Sequence, residues 1–518
     1  MNSDLPIEKP TASNRHGRAA KQQYERRLPS YHNLRNPFTP QTIFTQDRVE
    51  FLHEKALEVL ETLGIKVLLP QARQMFRSAG AIVDESTEMV RIGRELVATA
   101  LESAPKSIHC FAGSAQRDLK AELGQMIFLA GCGAPNVSDI DAGRRPGTLA
   151  DFQSLVKLVQ SFDVLQWQGP YVEAQDVELH LRHYATTHAQ LTLSDKFPCV
   201  YARGTPQVED GFEMIRLARG VSADEFKNGA YCYTVINTNS PRQLDIPMAQ
   251  GIIDFARYGQ PTIVTPFCLA GAMAPITVAG ALTLGHAEAL CGIVLSQLSR
   301  RGSPVIYGSF SSNVSMKSGS PAFGTPEHIK ATLGAGQLAR FLGLPWRSGA
   351  GSASNIADAQ AAHETQFGLW GSVLAGASVC VHAAGWMEGG LCLSYEKLIT
   401  DLEAIQTIAE LCTATPQDDD AFAFEAIAEV PPGGHFFSVA HTMSRYRTAF
   451  YEPIVADLSN FGTWKDGGSK SATKRANGIW KLALSKFKPP EACEGVANLL
   501  DEFISRRTAQ GGAAPVSG

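Results

Sequence analysis

Two apolar runs in this chain end in side chains able to grip a small charged molecule. LPWRSGAGSASN (344–355) brings Trp346, Arg347 and Ser348 together, and ASVCVHAAGWMEGG (377–390) carries His382, Trp386 and Glu388. Three further runs end in kind: YCYTVINTNSP (231–241) with Asn239, PTIVTPFCLAGA (261–272) with Phe267, and SPVIYGSFSSN (303–313) with Tyr307. The set is rich in aromatics and amides and poor in acids. It suits a ligand with a quaternary ammonium head and a carboxylate tail. Aromatic faces attract an alkylated cation, at about 0.5–2 kcal/mol each, and a guanidinium pairs with a carboxylate. The expectation is a cation cage of Phe267, Tyr307, Trp346 and Trp386. His382, Arg347 or Ser348 would hold the carboxylate, and Asn239 and Glu388 would shape the site. His382 and Glu388 are the candidates for catalytic groups. Each residue also has a plain structural use: the aromatics can pack a rim, Arg347 can pair with a neighbouring helix, and a lone buried histidine can be satisfied by backbone.

The same residues argue against other chemistry. A hydrolytic metal site wants clustered His, Asp and Glu at ligand spacing. His363–Glu364 does not extend to such a motif, because position 367 is Phe, so no metal ligands are expected. Only Glu388 qualifies as a strand-end acid, whereas a glycosidase needs two. No GxSxG elbow, P-loop, early GxGxxG or CxxC pair occurs. Two readings stand beside an enzyme acting on a betaine-like amine: a non-catalytic barrel that binds such cations, and an unrelated metal-dependent barrel lyase, which the missing acid cluster disfavours.

The elements that would position these residues recur with a rhythm. Eight short runs rich in β-branched or aromatic residues begin near 126, 164, 197, 231, 261, 303, 344 and 377, and helical stretches lie between them. The spacing of about 30–40 residues is one βα unit. Runs apolar on both faces fit parallel strands covered by helices. The expected fold is α/β: a (β/α)₈ TIM barrel with an N-terminal helical extension and C-terminal helices, its site at the carboxyl ends of the strands. The divisions are a polar mobile arm (1–40), a helical and mixed extension (41–120), the barrel (121–400), C-terminal helices (401–505) and a disordered tail (506–518).

The chain has 518 residues, 44% of them hydrophobic, and a net charge of −5. It lacks a basic stripe, so nucleic acid is not an expected partner. Its polar, Arg-rich start has no secretory h-region. No apolar run reaches the roughly 20 residues of a membrane span. The expected compartment is the cytoplasm, with free thiols and a homo-oligomeric assembly.

Several long segments are similar to a known family. GAPNVSDIDAGRRPGTLADF (133–152), INTNSPRQLD (236–245), TPFCLAGAMAPIT (265–277), FGTPEHIKA (323–331), SNIADAQAAHE (354–364) and HAAGWMEGGLCLSYEK (382–397) resemble the trimethylamine methyltransferase family. The resemblance implies a (β/α)₈ barrel and corrinoid-dependent methyl transfer. It further implies that a separate corrinoid protein presents Co(I) cobalamin as nucleophile and that this chain binds no cofactor tightly. Archaeal trimethylamine enzymes of the family carry pyrrolysine near the end of the seventh strand, and pyrrolysine-free relatives act on glycine betaine. This sequence has ordinary residues throughout Ser348–Asn355, which implies a betaine-like quaternary amine as methyl donor.

Overall fold

The structure, a computed structural model, describes residues 33–516. Most of the expected arm therefore lies outside the described residues. The fold is α/β. Six parallel strands run in the order Gln125–Phe128, Val379–Val381, Trp346–Gly349, Val305–Gly308, Thr262–Val264, Thr234–Ile236, and Leu34–Arg35 joins the first strand antiparallel. Side chains alternate across such strands. On one face Ile127, Ile263, Ile306, Val379 and Val381 pack with Trp167, Phe197 and Tyr233. On the other, Val264, Val305, Tyr307 and Trp346 pack against the helices.

Eight continuous strands closing into a barrel were the expectation, and the ladder found is open and shorter. The runs 164–171 and 197–204 contribute only isolated parallel bridges, Trp167 with Phe197 and Cys199 with Tyr233. Proline supplies the physical reason. Pro170 and Pro198 sit inside these runs and have no N–H to donate to a ladder.

Helices cover the sheet. Val278–Ser299 begins at Thr277, whose side chain accepts from the Gly280 N–H, and is buried on nearly every face. It is long and apolar enough to cross a membrane, which the sequence reading did not anticipate, but 78% of its apolar window is buried inside the fold. Pro326–Leu342 starts with Pro at its first position after the Thr325 cap and stops at left-handed Gly343. Ala359–Leu374 is capped by Asp358, and Tyr395–Leu411 by Ser394.

Before the parallel strands, Gln46–Glu58 and Pro70–Ser78 pack around a small sheet, Gln243–Leu244, Ile65–Val67, Met89–Arg91, Ile82–Asp84. The turn at Gly64 has φ 73°, and a Cβ there would lie 2.6 Å from the Val90 carbonyl oxygen. A second accessory sheet joins Trp386–Met387, Cys392–Ser394, Asn136–Asp139 and Gly143–Pro146, tying loops that follow the first and last parallel strands. Where a disordered tail was expected, the Ala513 N–H donates to His180 O (3.1 Å) and the Val516 N–H to Arg203 O (2.9 Å).

Candidate active site

Beyond the carboxyl ends of the strands, Phe310, Phe323 and Trp386 form a small aromatic cluster of their own, with Phe267 and Ala353 packed against it. Phe310 is its hub. It lies 5.3 Å from Phe267 and 5.3 Å from Phe323, ring centre to ring centre, and Phe323 meets Trp386 edge-on at 5.1 Å. Close backbone approach makes room for these rings. A Cβ on Gly351, whose φ is 120°, would lie 2.3 Å from the Trp386 ring. The indole N–H of Trp386 is buried without a partner among the described residues.

Arg347 comes to this cluster from the strand Trp346–Gly349. It aligns with Val379 on the inner face, and its guanidinium carbon stands 4.8 Å from the centre of the Phe310 ring. It is 2% exposed. Its Nη1 donates to Thr265 Oγ1 at 3.2 Å, and among the described residues its Nε has no partner and no carboxylate lies within ion-pair distance. Burial lowers its pKa to about 10. A buried cation without a counter-ion is costly, and a site that holds one is complementary to an anion.

His382 closes the other side. Its ring stacks on Trp386 at 4.6 Å and stands 5.3 Å from Phe310. The Cys132 N–H donates to its Nδ1 at 3.3 Å. Burial first, and the nearby Arg347 charge second, push its pKa well below the ordinary value. The ring is therefore neutral, and with Nδ1 accepting, the proton sits on Nε2 as a donor. Its φ of 61° is the left-handed region, unusual for a residue with a Cβ and commonest at functional turns.

Four expected residues thus meet: Phe267, Arg347, His382 and Trp386. The others lie elsewhere. Tyr307 and Trp346 belong to the core between sheet and helices. The Tyr307 hydroxyl is 3.1 Å from His286 Nδ1, and Trp346 Nε1 donates to Gly376 O at 2.8 Å. Both face away from the aromatic cluster, so neither is placed to cage a cation there. Ser348 pairs with Cys380 in the ladder, on the same side as Trp346, where Cys380 Sγ meets Ser372 Oγ at 3.5 Å. Asn239 brackets a turn, donating to Asp245 Oδ2 and accepting from the Asp245 N–H, both at 3.0 Å. Glu388 accepts from Arg144 Nε through both oxygens at 3.0 Å, and its own N–H donates to Ser354 O at 3.0 Å. These contacts pin two rim loops together.

A model of the trimethylamine methyltransferase (MTTB) family matches residues 11–512. The chain belongs to this family. A glycine betaine methyltransferase of Desulfitobacterium hafniense (strain Y51) is 33% identical over 468 residues, spanning 90% of this chain and 97% of the relative. A trimethylamine methyltransferase, MttB, of Desulfitobacterium hafniense (strain DSM 10664 / DCB-2) is 28% identical over 475 residues, spanning 91% of this chain and 95% of the relative. The crystal structure of the Methanosarcina barkeri monomethylamine methyltransferase (MtmB) aligns over 89% of this chain and 92% of its own, with a TM-score of 0.45 and 10% identity. Methyl transfer, the enzyme class expected from the sequence, is the class of these named relatives.

The structure also brings to the site groups that the expected set of site residues left out. Phe310 and Phe323 line the cluster, and His328 packs edge-on to both at 6.2 and 5.6 Å. Burial lowers the His328 pKa to about 4, so it too is neutral. Glu288, on the long helix Val278–Ser299, accepts from Thr238 Oγ1 (2.7 Å), Ser240 Oγ (2.6 Å) and the Arg242 N–H (2.7 Å). It thereby anchors the loop that carries Asn239. Glu364 accepts from Ser352 Oγ (2.6 Å) and the Ala353 N–H (2.8 Å), fixing the glycine-rich loop after the Arg347 strand. Only Phe310 left a usable trace, since it follows a strand end as Phe267 does.

Proposed function

We propose that this chain transfers a methyl group from a betaine-like quaternary amine to the corrinoid of a partner protein. The carrying observation is the buried Arg347, unpaired with any carboxylate among the described residues, beneath an aromatic wall of Phe267, Phe310, Phe323 and Trp386. The kinship with a glycine betaine methyltransferase over 90% of the chain supports the same donor. We further infer that the parallel strands belong to a (β/α)₈ barrel. In support, the Gln166 N–H donates to Phe128 O at 3.1 Å, and the bridges at 167–197 and 199–233 span the interval between the two ends of the open ladder.

The methyl acceptor is a substrate of the reaction, and its reduced cobalt supplies the nucleophile. The residues of this chain therefore bind, orient and exclude water. Arg347, with Thr265 and the Nε2–H of His382 beside it, holds the substrate carboxylate. The rings of Phe267, Phe310 and Trp386 face the trimethylammonium group, whose positive charge they favour. Transfer breaks one C–N bond, and the electron pair stays on nitrogen, giving a neutral tertiary amine. No proton moves, so a neutral His382 serves as a hydrogen-bond donor and no general acid is required. Glu388, paired with Arg144, shapes the rim. A quaternary nitrogen is already a competent leaving group, consistent with the absence of pyrrolysine from Ser348–Asn355.

Anaerobic incubation with reduced cobalamin and a panel of methylated amines tests the reading. Loss of the Co(I) absorbance, together with dimethylglycine formation from glycine betaine, is the expected result. Turnover of trimethylamine but of no carboxylated quaternary amine would contradict it.

A further inference from the structure

The Trp386 ring is held in place by packing. The residue is 4% exposed, and its indole N–H has no partner among the described residues. Three loops meet it with a glycine each. Gly131 follows the strand Gln125–Phe128, Gly351 follows Trp346–Gly349, and Gly390 follows Val379–Val381. A Cβ on Gly131 would lie 2.9 Å from Trp386 Cβ, one on Gly351 2.3 Å from Cε3, and one on Gly390 2.7 Å from Cζ2. Each distance is shorter than packed carbons allow, so a larger residue displaces either the indole or the backbone. The loops are also tied to one another. The Gly131 N–H donates to Ala384 O (2.7 Å), the Glu388 N–H to Ser354 O (3.0 Å) and the Gly389 N–H to Ser352 O (3.1 Å). His382, Phe310 and Phe323 contact the indole as well, at 4.6, 5.8 and 5.1 Å between ring centres.

We propose that Gly131, Gly351 and Gly390 are positioning residues for Trp386, and that the indole they fix sets the largest ammonium head the site admits. A neighbouring side chain can change rotamer and let a ring retreat, whereas hydrogen-bonded main chain cannot. The indole rests on main chain at three places, so it stands as an unyielding wall. Aromatic faces attract any alkylated cation and do not by themselves choose between methyl and ethyl groups. A fixed wall does choose, because each added methylene must overpack the site. The head is therefore trimethylammonium, and larger groups on nitrogen are refused. The inference rests on the betaine-like donor proposed above and adds to it the residues that limit its size.

Titration calorimetry of the full chain with glycine betaine and with N,N,N-triethylglycine tests it. The wild type is expected to bind the triethyl compound at least tenfold more weakly, and Trp386→Ala to narrow that ratio below threefold. Should Trp386→Ala not fold, Trp386→Leu carries the same comparison. Equal binding of the two compounds by the wild type, or an undiminished ratio in the folded variant, overturns the proposal and leaves the donor reading standing. A wild type that binds neither compound overturns both. The seat itself is tested by Gly351→Ala, alone and beside Trp386→Leu. The backbone strain at its φ of 120° is common to both backgrounds, so the difference between them isolates the collision with the indole. Gly351→Ala is expected to weaken glycine betaine binding at least tenfold when Trp386 is present and less than threefold beside Trp386→Leu. Equal losses, or failure to fold in both backgrounds, overturn the positioning role.

Discussion

Arg347 is a buried charge with no carboxylate partner among the described residues, and its removal separates function from stability. Arg347→Met takes away a buried cation, so its melting temperature is expected to equal or exceed that of the wild type. Its kcat/KM for a carboxylated quaternary amine should fall about 10- to 100-fold, for a charge-assisted hydrogen bond of about 1.5–3 kcal/mol. Calorimetric melting and steady-state turnover check the two halves; a variant that melts lower and turns over normally contradicts the assignment. The two tryptophans divide in the same manner. Trp346→Ala should cost about 3–5 kcal/mol of stability, as a buried aromatic does, with KM unchanged. Trp386→Leu should raise KM with a smaller loss of stability. Denaturant midpoints beside KM values distinguish them. The sequence made Arg347, His382, Trp386 and Phe267 legible, because chemistry-bearing types stood at the ends of strand-like runs. It misplaced Tyr307 and Trp346, because a run that is apolar on both faces does not say which parity points inward.

The strand ends are held by elements behind them. On Tyr395–Leu411, Lys397 and Asp401 form a fully buried pair at 2.5 Å, and Asp401 accepts from the Gly385 N–H at 2.8 Å, one residue before Trp386. Asp401→Asn leaves the ammonium uncompensated and should cost about 3–5 kcal/mol. The double variant Lys397→Met/Asp401→Leu should recover most of that stability while turning over more slowly, because Gly385 loses its anchor. Urea midpoints and kcat for both variants test this; a double variant as unstable as the single one contradicts it. The helices between the runs were legible as helical stretches, whereas starts such as the Thr325 cap of Pro326–Leu342 came only with the structure. The strand count was only partly legible. Pro170 and Pro198 thin two runs to single bridges, and a pattern of apolar residues does not register a missing N–H. The accessory sheet over the site was also invisible, since its strands are only two to four residues long.

Across the molecule, His286, His328 and His382 are all kept neutral by burial, each with its pKa lowered. Above about pH 6.5, the ordinary histidine value, these rings are neutral in the folded and unfolded chain alike and stability does not depend on them. As pH falls below that value the unfolded chain takes up protons that the folded one refuses, so stability declines. Melting temperature should therefore drop steadily from pH 7 to pH 5, and less steeply in His328→Gln; equal slopes would contradict a buried neutral His328. At this scale the family was readable from long ordered segments, whereas the glycine seat of Trp386 was not, because contact between distant loops is a property of packing and not of composition. The central claim is that the molecule selects a quaternary amine by its carboxylate. Titration calorimetry of the intact chain with glycine betaine and with choline, which shares the trimethylammonium head but lacks the carboxylate, tests it most directly. The account predicts at least tenfold tighter binding of the betaine, and equal affinities would contradict it.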